Sequence, residues 1–258
     1  MSPMDMADAV VRGRRARLAA MPGAYVMHLP GLTPYRDAWE LQRSLAAAVS
    51  QRAIPETVLF LEHQPVVTAG RRTDVGAELH LPPEAEVDVV ETDRGGKSTY
   101  HGPGQLVCYP ILDLTRHGRD VKRYVRELEQ AIVRTLAPLG LDATCIEGLT
   151  GVWLQSPPRK IASIGVHVSR WITTHGYALN VDLDPEIFTE WITACGLEDA
   201  MFTTVARELG RGVTVDEVRP LAQAAIAEVF ELELEELPAE HGTGLWAQPI
   251  HEKIAARA

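Results

Sequence analysis

Apolar residues recur along the chain with two different periods, and the switches between them predict its elements. From Asp37 to Val49, Leu41, Leu45, Ala48 and Val49 fall three and four apart, the spacing of a helix with one buried stripe. Val58–Leu61 and Pro65–Ala69 are short apolar runs separated by Glu62-His63-Gln64, and Val87–Val90 is a third. Runs of that length read as buried strands, as does Leu106–Leu112 after the glycine-rich stretch that precedes it. Beyond Asp120 the period returns to the helical one through Val121, Tyr124, Val125, Leu128, Ile132 and Leu136. Ile164, Val166 and Val168 then alternate, as do Tyr177, Leu179 and Val181, which makes 160–181 a hairpin.

Two helix starts are written in capping chemistry. Asp184-Pro185 offers a capping oxygen followed by proline, predicting a helix that runs to about Ala194. Thr214-Val215-Asp216-Glu217 has the capping-box arrangement, and Val218, Leu221, Ala225, Ile226 and Val229 supply the buried face behind it. After Phe230 the chain turns acidic and loses periodicity. Strands interleaved with helices, hairpins among them, predict a mixed α/β (α+β) fold in a single domain. Its expected limits are residues 22–230, with 1–21 as a flexible leader and 231–258 as an acidic appendage.

Composition narrows the function classes. The chain has 25 basic and 35 acidic side chains in 258 residues, a formal charge of −10, and 46% of its residues are apolar. That profile excludes disorder and fibrous repeats, and it argues against nucleic-acid binding, which needs a surplus of Lys and Arg. No stretch approaches the ~18 apolar residues of a membrane span. Arg12, Arg14, Arg15 and Arg17 are followed by no apolar run of signal-peptide length, and Cys108, Cys145 and Cys195 are an odd, widely spaced set. Both features suit a reducing, cytoplasmic setting. Charge is nevertheless uneven: segments 63–73, 94–112 and 159–181 hold seven basic residues and no acidic one.

Three segments carry candidate chemistry. In Arg94-Gly95-Gly96-Lys97-Ser98-Thr99-Tyr100-His101-Gly102-Pro103-Gly104-Gln105, four glycines accompany Arg, Lys, Tyr and His between two strands. Such a loop allows close approach of a ligand to backbone N–H groups. It is not a phosphate-cradling P-loop, because Glu91 stands where that motif needs glycine. Arg159-Lys160-Ile161-Ala162-Ser163-Ile164-Gly165 opens the hairpin. It places an ammonium beside apolar and small residues, and desolvation there favours proton transfer near neutrality. Gly165 leaves room against the strand. Cys195, before Gly196 at a helix-to-loop junction, has the setting of a nucleophile, whereas Cys108 and Cys145 lie inside apolar strand patterns. Metal spacings such as CxxC, HxH or HExxH are absent from the sequence.

These segments resemble the octanoyltransferases of lipoate biosynthesis, the lipoate-protein ligase B family. The loop 94–105 is similar to that family's RGGxxT[FY]HGPGQ signature, and Glu62-His63-Gln64-Pro65 with Gly70-Arg71-Arg72 to its EHxPxxTxGRR stretch. Lys160 to Val166, Trp171 and His175 to Asn180 match its middle block, and Cys195-Gly196 its catalytic CG pair. Ala194 departs from the pattern, where many members carry proline. The resemblance covers roughly residues 25–230. It implies a fold like that of biotin and lipoate protein ligases, a mixed sheet with packed helices, and a cytoplasmic acyltransferase that uses no cofactor and no metal.

Cys195 would be the acyl-thioester nucleophile. Lys160 would favour its thiolate and act as general acid and base. Arg94, Gly95, Gly96, Lys97, Ser98, Thr99, Tyr100, His101, Ser163, Ile164, Gly165, Gly176, Tyr177 and Ala178 would bind substrate. The implied partners are octanoyl-acyl carrier protein as donor, with lipoyl domains of 2-oxoacid dehydrogenase E2 subunits and the glycine cleavage H protein as acceptors, and neither nucleic acid nor membrane. Two other readings compete: an ATP-dependent lipoate-protein ligase, which needs no cysteine nucleophile, and a non-catalytic acyl-carrier-binding module, which needs neither Lys160 nor Cys195.

Overall fold

The computed structural model describes residues 23–192 and 201–237. The expected leader 1–21, residues 238–258 of the expected appendage, and Cys195 with its neighbours Ala194 and Gly196 lie outside the described residues.

The described chain forms one large mixed sheet and one small sheet. Strands β1 (Ala24–Thr33), β2 (Glu56–His63), β3 (Val66–Ala69), β4 (Asp88–Glu91), β5 (Thr99–His101) and β6 (Gln105–Ile111) come first. They are followed by β7 (Ala143–Ile146), β8 (Leu149–Leu154), β9 (Arg159–Ser169), β10 (Ile172–Asn180), β11 (Met201–Phe202) and β12 (Leu234–Leu237). The nine-stranded sheet runs β12-β1-β2-β6-β10-β9-β8-β7, with β11 beside β9, and the three-stranded sheet runs β4-β3-β5. In the large sheet the pairs β1–β2 and β1–β12 at one side are parallel, as is the short β11–β9 pair, and the others are antiparallel. Strand β12 begins inside the stretch expected as an appendage. Leu234 pairs with Ala24 and Leu237 with Met27, so the acidic segment starts as an edge strand of the sheet.

Helix α1 (Tyr35–Ser50) covers one face of the large sheet; α3 (Val121–Leu136) and α6 (Val215–Val229) cover the other. The central strands are therefore buried on both sides. On β2, Val58 and Phe60 enter the core under α3 and α6, while Leu59 and Leu61 enter the core under α1. Two-sided burial turns alternation into the continuous apolar runs that were legible at 58–61 and 106–112. Helix α3 is capped by Asp120, whose carboxylate accepts from the N–H groups of Lys122 and Arg123. Tyr124, Leu128, Ala131, Ile132 and Leu136 form its buried stripe. The capping box at Thr214 and Glu217 is present as the sequence predicts.

The helix expected from Asp184 to about Ala194 is a single turn, α4 (Ile187–Glu190). Two pairings pull the chain out of helical form directly after it. The Trp191 carbonyl accepts from the His80 N–H at 2.8 Å, and Ile192 forms an antiparallel bridge with Leu79. Two shorter helices, α2 (Val75–Glu78) and α5 (Val205–Leu209), and a 3-10 turn Ala137–Leu139 after α3 complete the described elements.

Candidate active site

A cavity of about 400 Å³ opens between the glycine-rich loop, the middle of the β9–β10 hairpin, the turn from β7 into β8, and Val125 of α3. Among its walls are Arg94 to Thr99, His101, Lys160, Ser163 to Gly165, and Gly176 to Ala178. Segments separated by more than eighty positions in sequence thus converge on one site. Tyr100 is the described exception. Alternation along β5 points Thr99 and His101 into the cavity and turns Tyr100 onto Phe188 and Trp191, at ring-centroid distances of 6.2 and 5.8 Å.

The loop wall is held from within. Arg94 is 6% exposed, and its guanidinium donates to the Thr68 carbonyl at 2.7 Å, the Thr68 hydroxyl at 2.7 Å, the Lys97 carbonyl at 2.7 Å and the Gly95 carbonyl at 3.1 Å. Lys97 pairs with Glu78 at 2.6 Å. The Gly95 N–H donates to Val166 and the Gly104 N–H to Glu62, so neither is open to a ligand. Gly165 serves the same assembly, because a Cβ there would lie 3.0 Å from Arg94 Cδ and 3.1 Å from the Gly95 oxygen. The room expected beside Gly165 is occupied by the loop itself.

The hairpin wall is different. Lys160 is 3% exposed, and its Nζ lies 5.4 Å from the centroid of the Trp153 ring. Phe202, its pairing partner on β11, also lines the cavity. Ser98 Oγ and Trp153 Nε1, on residues of these two walls, are buried without a hydrogen-bond partner among the described residues.

Beneath both walls lies a polar layer that sequence reading did not assign: Tyr35, Tyr109 and His175 line the cavity, and His63 supports them. His63 Nδ1 donates to the Thr33 carbonyl at 2.9 Å, which leaves Nε2 to accept from the Tyr109 hydroxyl at 2.8 Å. Burial pushes His63 down to about 4. His101 meets Gln105 at 2.7 Å and is held well below its ordinary value by burial. His175 lies between the Asp93 carboxylate, 2.7 Å from Nε2, and the Tyr35 hydroxyl, 3.3 Å from Nδ1. Burial lowers His175 against the opposing pull of Asp93, and the hydrogen bond from His175 in turn lowers Asp93. His175 also has φ +58, and its N–H donates to buried Gln42 at 2.6 Å. A left-handed histidine inside a strand is strained, and such strain clusters at functional sites. Nothing in residue identity marks it. The available signal was the placement of His175 directly before Gly176 inside a motif already singled out.

The two described cysteines are held as thiols. Burial pushes the Cys108 thiol far up, and burial together with Glu129 raises that of Cys145. No group of three or more potential metal ligands occurs among the described residues. No helix of the described residues is long and apolar enough to cross a membrane.

This arrangement belongs with proteins that handle lipoyl and octanoyl groups. Residues 34–227 match the lipoyl protein ligase A/B catalytic domain, and the chain belongs to that family. An octanoyltransferase of Mycobacterium tuberculosis (strain H37Rv) is 51% identical over 203 residues, 78% of this chain and 85% of the relative. One of Chloroflexus aurantiacus (strain J-10-fl) is 46% identical over 211 residues, 80% and 94% of the two chains. The activity is accordingly that of an octanoyltransferase, an acyltransferase of protein lipoylation.

The fold recurs at lower identity. A bipartite lipoate protein ligase from Thermoplasma acidophilum superposes with a TM-score of 0.66 at 19% identity, covering 91% of this chain and 92% of the other. A lipoate-protein ligase A bound with ATP gives 0.65 at 18% identity, covering 91% and 94%.

Proposed function

We propose that the chain moves the octanoyl group from octanoyl-acyl carrier protein to a specific lysine of lipoyl domains through an acyl-thioester on Cys195. The acceptors are the lipoyl domains of 2-oxoacid dehydrogenase E2 subunits and the glycine cleavage H protein, met in the cytoplasm. The observation that carries this reading is Lys160, an ammonium-bearing side chain only 3% exposed in the wall of a cavity faced by the glycine-rich loop. An ammonium buried in the wall of a cleft is a candidate functional group. With Cys108 and Cys145 held as thiols, Cys195 is the cysteine available for thiolate chemistry. The catalytic unit spans residues 22–230, and β12 ties the start of the acidic stretch onto it.

The reaction follows in two steps. The Cys195 thiolate attacks the octanoyl thioester carbon; the carrier's pantetheine sulfur leaves and takes a proton from Lys160. The acceptor lysine amine then attacks the acyl-cysteine carbon, gives its proton to Lys160, and releases the Cys195 thiolate. Thioester exchange is nearly isoergic, so the first step needs no ATP. Amide formation is downhill and makes the second step irreversible. The remaining residues 95–99, His101, 163–165 and 176–178 bind the acyl arm, with Arg94 and Lys97 acting by shaping the loop and Tyr100 packing behind it.

Intact-mass measurement after incubation with octanoyl-carrier protein, without ATP, tests the reading. The wild-type chain gains one octanoyl group and Cys195→Ser gains none. An equal adduct on Cys195→Ser, or a strict ATP requirement for octanoylating a lipoyl domain, sinks it.

A further inference from the structure

Strands β8 and β9 lose register beside Lys160. Val152 pairs with Ala162, yet the next residue, Trp153, pairs with Lys160, so Ile161 is an extra residue on β9. A bulge of this kind re-aims the side chains that flank it. Across the bulge stands Gly151, at φ +125. A Cβ built there would lie 2.6 Å from the Ala162 carbonyl oxygen, 2.7 Å from Lys160 Cε and 3.3 Å from Lys160 Nζ. The Lys160 stem therefore crosses the volume that any side chain at 151 would fill.

The backbone of Gly151 is itself held from the neighbouring helix. Its N–H donates to Glu129 Oε1 at 3.1 Å, and Glu129 belongs to the buried stripe of α3. An acid on that stripe carries a desolvation cost that an apolar residue would avoid. The cost is offset where the carboxylate fixes a main-chain group that must not move. Gly151, the turn that precedes it and the Trp153 ring then bound Lys160 on one side, while β11 bounds its backbone on the other.

We propose that Gly151 and Glu129 are positioning residues for Lys160: Gly151 leaves the channel its stem occupies, and Glu129 locks that channel in register. The inference rests on the reading of Lys160 as the proton-transfer group. It makes two residues of β8 and α3, neither of which donates or accepts the reacting proton, determinants of turnover.

The test compares Glu129→Gln, Glu129→Leu, Gly151→Ala and Lys160→Met in the full chain, with octanoyl-carrier protein and a lipoyl domain as substrates. Glu129→Gln keeps an acceptor for the Gly151 N–H and retains kcat within about twofold. Glu129→Leu keeps the fold but loosens the lysine, and lowers kcat about 10²-fold with KM changed by less than about threefold. Gly151→Ala lowers kcat further; if it does not fold, the Gln and Leu pair decides alone. Wild-type kcat in Glu129→Leu, a loss expressed in KM alone, or failure of Glu129→Gln to retain kcat overturns the proposal. Full turnover in Lys160→Met instead overturns the role of Lys160 itself, which separates the two failures.

Discussion

The two walls of the cavity use their charged residues in opposite ways. On the glycine-rich wall, Arg94 spends its donors on Thr68 and on carbonyls of its own loop, and Lys97 is tied to Glu78. On the hairpin wall, Lys160 is sunk among apolar and aromatic groups beside a bulge. One wall turns charge into shape, and the other keeps a charge buried in the cavity wall, where the proposed reaction would use it. Motif density therefore measures how demanding a backbone path is as much as how much chemistry it carries.

Removing the charge from each wall is the strongest way to break that contrast. Lys160→Met lowers octanoyl transfer about 10²- to 10⁴-fold. Its effect is read in turnover, with the fold retained. Arg94→Met does the reverse in character. It orphans the carbonyls of Thr68 and Lys97 and destabilises the fold by on the order of 3–5 kcal/mol, read by denaturant unfolding. A stable Arg94→Met with slow turnover would make Arg94 a substrate contact and erase the distinction.

The layer beneath both walls gives a pH signature of intermediate size. His63 is neutral in the fold with its pKa held at about 4, against 6.5 in an unconstrained chain. As pH falls through 6.5 the unfolded chain takes up a proton that the fold refuses, so stability is lost from there down to about pH 4. The loss amounts to about 3 kcal/mol for this residue. Unfolding titrations at pH 7 and pH 4.5 check it, and His63→Asn flattens the slope. A wild-type stability independent of pH over that window would mean that the polar layer is not sealed by the walls above it.

The smallest effect concerns the rim. Of the seven basic residues that cluster around the motifs, Arg94 and Lys160 are buried, and Lys97 and Arg159 are paired with Glu78 and Glu208. Arg71, Arg72 and Arg170 remain exposed, with Arg72 at the cavity itself. If the proposed donor carrier is acidic, its attraction rests on few charges. Raising salt should slow acylation at limiting donor only about two- to fivefold, and Arg72→Ala should remove part of that dependence. A steeper response would place more charge at the mouth than these three residues supply.

Much of this was legible along the chain. The helices α1, α3 and α6 follow from apolar spacing, and α6 also from its capping box, because each buries a single stripe and a single stripe leaves a 3.6-residue period. The hairpin at 160–181 follows from alternation. The short β7–β8 pair, β1 and β12 were not assigned, since edge and return strands draw their pairing from distant residues. The helix after Asp184 was overestimated for a related reason: His80 and Leu79 capture Trp191 and Ile192 from over a hundred positions away.

Residue types and local order marked the glycine-rich loop and the lysine entering a strand, which meet at the cavity, because each leaves a mark in a few consecutive positions; the cysteine before glycine lies outside the described residues. The tertiary structure alone decided what each charge does. Whether Arg94 binds substrate or its own loop depends on Thr68, and whether Tyr100 faces the cavity depends on the pleat of β5. How Lys160 is aimed depends on a missing side chain at 151 and a carboxylate on α3. Those partners lie on other elements, and hydrogen bonding and exclusion act through distance in space, which linear order does not encode.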